Sequence, residues 1–467
     1  MSFVLHLKEY LKRFIYSRLI YKACGVLAWI SYGCAKCIDR KHVWCMYLFV
    51  AKLQITIGFR SGWFAYLSCH PSAVRTMEVI EHQVINASDH LVKDAVRQPT
   101  GETVLFLTSF VGLTGGHTRL LQTYLSQIPQ AKLLVSGDAF FAGRRHFLAE
   151  QEGICASLFD NAAGRIIFNK ASRLTQCGQI ELLYKHLSKI RPKVMVLFNE
   201  PSDLALLMAT LIYIGSNKAV KVFYYHHADD FMPFLGRAFH GHIDLDSNQE
   251  TKCKDAACRS LIRISVRNRK IDGATISNPF TVFSFAPMTK LKSGMPGEHG
   301  YAELVSALTR KGVRFIIATR KGEAVAIKDF LAQRGTDLAR VDVDEKCFDI
   351  SKYAGLVHAY LDTFPVGGGM SVVDGLSIGI PVMINAQHGY QVFRDDALKE
   401  FMFEGAAEIM AFAMRLKLDA DFYRQKSQCA HQIFLKFYDE SVMVDALKAL
   451  IERKNNRHDP AATTLSL

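Results

Sequence analysis

Hydrophobic and polar positions along the chain fall into two textures. In the first hundred residues bulky apolar side chains alternate with Lys and Arg, whereas from Val104 onward short apolar runs alternate with stretches of helical period. Val104–Leu107 reads as a buried strand. It leads into a loop holding Ser109, Gly112, Thr114, Gly115, Gly116 and His117, and then into the helical spacing of Leu120, Leu121, Tyr124 and Leu125. Lys132–Val135, Val194–Phe198 and Lys221–Tyr225 continue as strands, with helices over Ile180–Ile190 and Leu204–Ile214. A polar stretch, Gly241–Asn268, reads as a connection with helical character. A second series follows, with strands Ala274–Ser277, Arg314–Ala318, Ala339–Val343, Val357–Leu361 and Pro381–Ile384. Its helices are Tyr301–Lys311, Ala324–Arg334, Ile350–Ala354 and Ser371–Ile378. Short apolar strands alternating with helices predict an α/β chain of two doubly wound domains in tandem, each a parallel sheet covered on both faces.

The pattern sets four segments: a basic amphipathic helical region over 1–98, one α/β domain over 99–270, a second over 271–453 with closing helices from Phe401, and a disordered tail over 454–467. The 467 residues are 49% apolar and 22% charged, with 12 Pro and 31 Gly, which excludes collagen-like, low-complexity and largely disordered chains. Charge adds a partner. The formal +13 favours polyanions. In the first segment Lys8, Lys12, Arg13, Arg18 and Lys22 recur between Phe3, Leu5, Leu11, Phe14, Ile15, Leu19 and Ile20, as in a helix lying on an anionic membrane surface. A soluble helix packed on the main domain has the same periodicity. The uncharged run Ala23–Ala35 is 13 residues, short of the ~18–20 a spanning helix needs. Lys8, Lys12 and Arg13 interrupt the first apolar stretch, so no secretory signal is expected. Eleven unevenly spaced cysteines do not make a disulfide scaffold, and the expected location is cytoplasmic, peripheral to the inner face of a membrane. Cys34, Cys37, His42 and Cys45 have zinc-like spacing, with buried or free cysteines on helices as the alternative.

The most specific stretch runs from Leu361 to Val382, through Asp362-Thr363-Phe364-Pro365-Val366-Gly367-Gly368-Gly369-Met370-Ser371 and on to Asp374 and Gly379-Ile380-Pro381. It joins a strand end, three glycines, a hydroxyl residue opening a helix and an acid one turn later. Glycines admit a ligand close to the backbone, and free N–H groups of a first helical turn attract phosphate. Ser371 adds a hydroxyl, and the Asp374 carboxylate suits a pair of ribose hydroxyls. A plain tight turn with Ser371 as N-cap is the alternative.

This stretch resembles the nucleotide-sugar loop of GT-B-fold glycosyltransferases, in particular the O-linked N-acetylglucosamine transferase-like group and related bacterial enzymes. The resemblance implies two tandem Rossmann-like domains, with a nucleotide sugar, expected to be a UDP-sugar, held by the carboxyl-terminal domain and the acceptor by the other. It maps donor binding onto Gly367, Gly368, Gly369, Met370, Ser371 and Asp374, with Met370 standing where a second hydroxyl is common. Lys290, in Ala286-Pro287-Met288-Thr289-Lys290, is the candidate phosphate lysine. The implied reaction is transfer of a sugar to a glycan, lipid-linked or protein acceptor, in bacterial surface polysaccharide synthesis, with no metal or further cofactor required.

Transfer to a hydroxyl needs a base, and imidazole titrates near neutrality. His117, beside Gly115 and Gly116, is one candidate; His226 and His227 are others, with Asp229 placed to orient an imidazole. Asn199 and Glu200, after the strand Val194–Phe198, are expected to line the cleft that two facing domains of this kind make. Asp244-Leu245-Asp246 and Asp342-Val343-Asp344 match the metal-binding DxD of the other major glycosyltransferase fold, but the first follows polar Arg237–His242 instead of a buried strand and the second belongs to the carboxyl-terminal α/β series, so chance matches are the better account. A sugar-nucleotide epimerase of the same fold and a noncatalytic polyanion-binding protein remain alternatives. No nucleic-acid partner is expected, because the excess charge sits in one amphipathic segment.

Overall fold

The computed structural model describes residues 102–112, 116–137, 147–170, 176–199, 203–217, 219–226, 239–245, 259–269, 279–291, 300–346, 349–364, 366–387 and 393–453. The basic segment 1–98 with its cysteines, the tail 454–467, Gly115, Glu200, His227, Asp229 and the expected strand Ala274–Ser277 lie outside them. The chain divides into two compact units, one taking in the chain to Asp244 together with Glu250–Ser260, the other Leu245–Gln249 and the chain from Leu261.

In the first unit the strands are β1 (Val104–Thr108), β2 (Ala131–Val135), β3 (Ile166–Phe168), β4 (Val194–Phe198), β5 (Lys221–Tyr225), β6 (Gly241–Asp244) and β7 (Arg259–Leu261). The helices are α1 (Gly116–Gln127), α2 (Phe147–Leu158), α3 (Gln176–Ile190) and α4 (Leu204–Ser216). The sheet order is β3-β2-β1-β4-β5-β6-β7, with β1 running parallel to β2 from Val104↔Ala131 and to β4 from Val104↔Val194. All five residues of β1 and of β4 are buried, as strands covered on both faces require. Helix α4 is apolar nearly all round and packs with α3 into one core, with Leu206, Leu211, Tyr184 and Leu187 among its members. Within the stretch read as a connection, Gly241–Asp244 instead adds a parallel strand to β5, from Phe223↔Gly241 to Tyr225↔Ile243. Four residues carry too little periodicity to announce themselves, and partner strand β5 decides their conformation.

The second unit repeats the plan with β8 (Thr281–Phe285), β9 (Arg314–Ala318), β10 (Val341–Asp344), β11 (Ala359–Leu361), β12 (Val382–Asn385) and β13 (Met402–Phe403) in the order β10-β9-β8-β11-β12-β13. Its helices are α5 (Met288–Leu291), α6 (Gly300–Arg310), α7 (Ala324–Ala332), α8 (Gly369–Ser377), α9 (Ala406–Leu418), α10 (Ala420–Phe437) and α11 (Glu440–Glu452). Asp419 and Asp439 cap α10 and α11 through their side chains, which stops and restarts the chain between closing helices. Arg263, in the segment entering this unit, forms a bidentate pair with the fully buried Asp395, Nε to Oδ2 at 2.7 Å and a terminal nitrogen to Oδ1 at 3.1 Å. Among the described residues no helix is long and apolar enough to cross a membrane.

Each sheet runs outward in both directions from a central pair, β1 with β4 and β8 with β11. A crevice opens beyond the carboxyl ends of such a pair because the connections leave to opposite faces, and ligands of doubly wound folds bind there.

Candidate functional site

In the second unit the two loops that leave the central pair meet. Lys290, on α5 after β8, donates from Nζ to the Gly367 carbonyl, after β11, at 2.7 Å. Gly368 is the N-cap of α8, and no side chain caps that helix. Its first turn therefore presents N–H groups that intrahelical bonding does not use. The helix begins at Gly369, earlier than the hydroxyl residue read as its start, and Ser371 stands in its first turn. A Cβ on Gly368 would come within 2.6 Å of Lys290 Nζ and 2.7 Å of Ser371 Oγ. The missing side chain thus leaves an ammonium, a hydroxyl and a helix N-terminus converging on one small volume, the equipment for holding a phosphate.

Neighbouring groups hold this cradle in place. Glu323, at the N-terminus of α7, accepts from the Met288 N–H at 3.0 Å and from the Thr319 hydroxyl at 2.6 Å, tying the loop after β9 to the one that carries Lys290. Ser284 on β8 donates to the Leu361 carbonyl at 2.5 Å. Asp362, fully buried behind the glycines, accepts from the Gly368 N–H, at 3.0 Å to Oδ1 and 3.2 Å to Oδ2, and from the Tyr360 hydroxyl at 3.4 Å. Burial pushes its carboxyl above the ordinary carboxylate range, against the opposing pull of Lys290 and of the Gly368 and Thr363 amides. Asp374, one turn beyond Ser371, is 8% exposed and lies 3.9 Å from Arg269, which also pairs with Asp349 and donates its backbone N–H to Ser377. Met370, Gly367 and Gly369 are half-buried along the same turn.

In the first unit His117 lies in the first turn of α1. Its Nε2 is 3.2 Å from the Phe110 carbonyl and its ring meets the Phe110 ring edge-on, with centroids 5.0 Å apart. A carbonyl only accepts, so in this contact Nε2 is the protonated nitrogen. Gly116 opens the same helix, and Asn199 is fully buried at the end of β4, its carbonyl accepting from Tyr224 at 3.1 Å. His226 is placed differently from His117: it is 6% exposed, and its Nε2 lies 2.9 Å from Nδ1 of the buried His242 on β6. The sequence reading did not single out Asp203. This buried carboxylate caps α4 through Leu206 N–H at 3.0 Å and accepts from Ser109 at 2.9 Å and from Ser136, binding the ends of β1 and β2 to one helix. Asp before an apolar helix is a capping signal that sequence alone offers, but its serine partners lie 94 and 67 residues away.

Asp342 and Asp344 of the second DxD are held by cations of their own domain. Arg314 donates to Asp342 at 2.9 Å through Nε and 2.5 Å through a terminal nitrogen. Hydrogen bonds from Lys352 and Tyr353 draw the Asp344 carboxyl down to about 2. Asp244, in the first DxD, is buried at the end of β6, and Asp246 lies outside the described residues. Among the described residues no three His, Cys, Asp or Glu side chains group to hold a metal ion.

No protein-family model matches the chain, and a search of curated proteins returned no significant match. Solved structures do match. Anabaena HepE in complex with UDP and glucose superposes with a TM-score of 0.54 at 16% identity, over 75% of this chain and 99% of that one. The same protein with UDP alone gives 0.53 at 14%, over the same shares. The apo form of the lipopolysaccharide outer core galactosyltransferase WaaB gives 0.50 at 14%, over 74% of this chain and 99% of that one. With two Rossmann-ordered parallel sheets in one chain, this likeness shows that the protein has the GT-B fold.

Proposed function

We propose that the protein is a glycosyltransferase that uses a nucleotide-sugar donor, with the donor diphosphate bound by Lys290, Ser371 and the N-terminus of α8. The convergence of Lys290 Nζ and Ser371 Oγ on the space a Gly368 side chain would fill carries this reading. As the sugar leaves, charge builds on the diphosphate, and an ammonium and helix amides already in place stabilise it without reorganising. Asp374 is suited to the donor ribose and the buried Asp362 to holding the loop. His117 is the proposed base; His227 and Asp229 are the other candidates. The likeness to structures holding UDP supports a uridine nucleotide, and the likeness to a lipopolysaccharide galactosyltransferase supports a surface glycan as acceptor. The basic segment 1–98 suits attachment to an anionic membrane face, where a lipid-linked acceptor is presented.

Calorimetric titration of the full chain with UDP, GDP, dTDP and CDP tests this. Binding of one of them that falls about tenfold or more in Lys290→Met and in Ser371→Ala, the range expected for a hydrogen bond to a charged group, supports the proposal. No binding by any nucleotide, or binding that both variants leave intact, refutes it. Turnover of the matching nucleotide sugar, and its loss in His117→Ala with nucleotide binding kept, tests the base.

A further inference from the structure

Asp362 is a charged group with no solvent exposure, set directly behind a site built for an anion. Its described neighbours all donate. The Gly368 N–H serves both oxygens, at 3.0 and 3.2 Å, and the Tyr360 hydroxyl reaches Oδ1 at 3.4 Å. Donors on both oxygens and the Lys290 ammonium favour the ionised carboxylate against the opposing effect of burial. Lys290, the cation acting on Asp362, sits against the same glycine: a Cβ there would lie 2.6 Å from Nζ and 3.8 Å from Asp362 Oδ1. Among the described residues, Lys290 is the ammonium that offsets the buried charge of Asp362. A diphosphate entering the cradle adds negative charge beside Asp362 and draws on the same ammonium. Two anions then draw on the Lys290 ammonium, and because Asp362 is sealed from solvent the cheapest relief is for its carboxylate to take a proton.

We propose that Asp362 is a proton-linked positioning residue of the donor site: ionised against Lys290 in the free protein, it takes up a proton when a nucleoside diphosphate occupies the cradle. This rests on the donor site proposed above. The proton comes from solvent and is returned when the nucleotide leaves, so no bond other than the carboxyl O–H is made or broken. The other titratable groups facing Asp362 are Tyr360 on β11 and Tyr301 on α6, with Asp374 on α8 acting on Tyr360. Burial pushes both tyrosines above their ordinary range, so neither titrates near neutrality.

The experiment is titration of the full chain with UDP, or whichever nucleoside diphosphate binds, between pH 6 and 8 in buffers of differing ionisation enthalpy. It compares wild type with Asp362→Asn, which keeps shape and an acceptor but carries no charge. Where a full proton is taken up, wild-type affinity falls by up to about tenfold per pH unit. Asp362→Asn should bind at least as tightly as wild type at pH 8 and show a flatter pH profile. Titration of the nucleotide itself is common to both proteins, so the difference isolates Asp362. Equal proton uptake in the two proteins overturns the proposal. Failure of wild type to bind any nucleotide overturns the donor site instead. Should Asp362→Asn not fold, difference infrared spectroscopy of wild type with 13C-labelled aspartate carboxyls decides: a protonated-acid carbonyl band on nucleotide addition supports the proposal, and its absence refutes it.

Discussion

Gly368→Ala separates binding from folding at the cradle. The backbone at Gly368 is extended, φ −142° and ψ 97°, a region open to alanine, so the substitution meets no backbone strain. The added Cβ meets Lys290 Nζ at 2.6 Å and Ser371 Oγ at 2.7 Å. Non-bonded heavy atoms rest at ~3.5–4.0 Å, so both groups must withdraw by on the order of 1 Å. Both are tips of flexible side chains that can move without disturbing the core, and the fold should lose less than about 1 kcal/mol. The phosphate loses correctly placed partners. One hydrogen bond to a charged group is worth about 1.5–3 kcal/mol, which is roughly a ten- to hundredfold loss of nucleotide affinity. Gly375→Ala is the control within the same helix. Its Cβ would stand 3.0 Å from Tyr360 Cβ and 3.1 Å from Val382 Cγ1, atoms fixed in the core. Overpacking of that kind costs about 1–3 kcal/mol and should lower the melting temperature by several degrees. Calorimetric titration with nucleotide, paired with thermal melts, reads both effects. Wild-type affinity in Gly368→Ala would refute a diphosphate lying between Lys290 and Ser371.

Asp395→Ala leaves the Arg263 guanidinium without its buried partner, and urea unfolding should report a loss of about 3–5 kcal/mol. A smaller effect than 1 kcal/mol would mean that water reaches Arg263 freely. His358 lies at 1% exposure with Nδ1 accepting the Thr281 N–H at 3.0 Å, and burial lowers its pKa from the ordinary 6.5. The unfolded chain then binds the proton more readily, so the histidine's contribution to stability is complete above pH ~6.5 and is lost as pH falls below it. The urea midpoint should drop between pH 7.5 and 5.5 by more in wild type than in His358→Gln, and equal slopes would contradict this. Asp203→Ala removes the cap of α4 and the acceptor of Ser109 and Ser136. Denaturation should show a loss of about 1–3 kcal/mol, with faster amide hydrogen exchange at Leu206 as the local check.

The α/β class, the tandem repeat of the doubly wound plan and the glycine-rich turn at Gly367–Gly369 were all legible in the sequence, because each rests on local pattern: apolar runs of strand length, helical period, and glycines beside a strand end. Short elements were not. Gly241–Asp244 becomes a strand only because β5 lies alongside, and Thr281–Phe285, whose five residues carry no distinctive signal, forms the central strand β8 between β9 and β11. Likewise Lys290 could be proposed from the chain, but not its bond to Gly367, 77 residues away. In sequence Asp362 is simply the acid that ends a strand before the glycine-rich loop. Nothing in its sequence neighbours says that it is sealed from solvent beneath Gly368, and burial is what gives its charge consequence. His226 and His117 look alike in sequence, each a histidine following a strand, yet one is paired with His242 in the interior and the other lies in a first helical turn. Local order follows from the chain because neighbours along it create it. The charge and reach of a side chain depend on which distant strands close around it, and only the tertiary structure decides that.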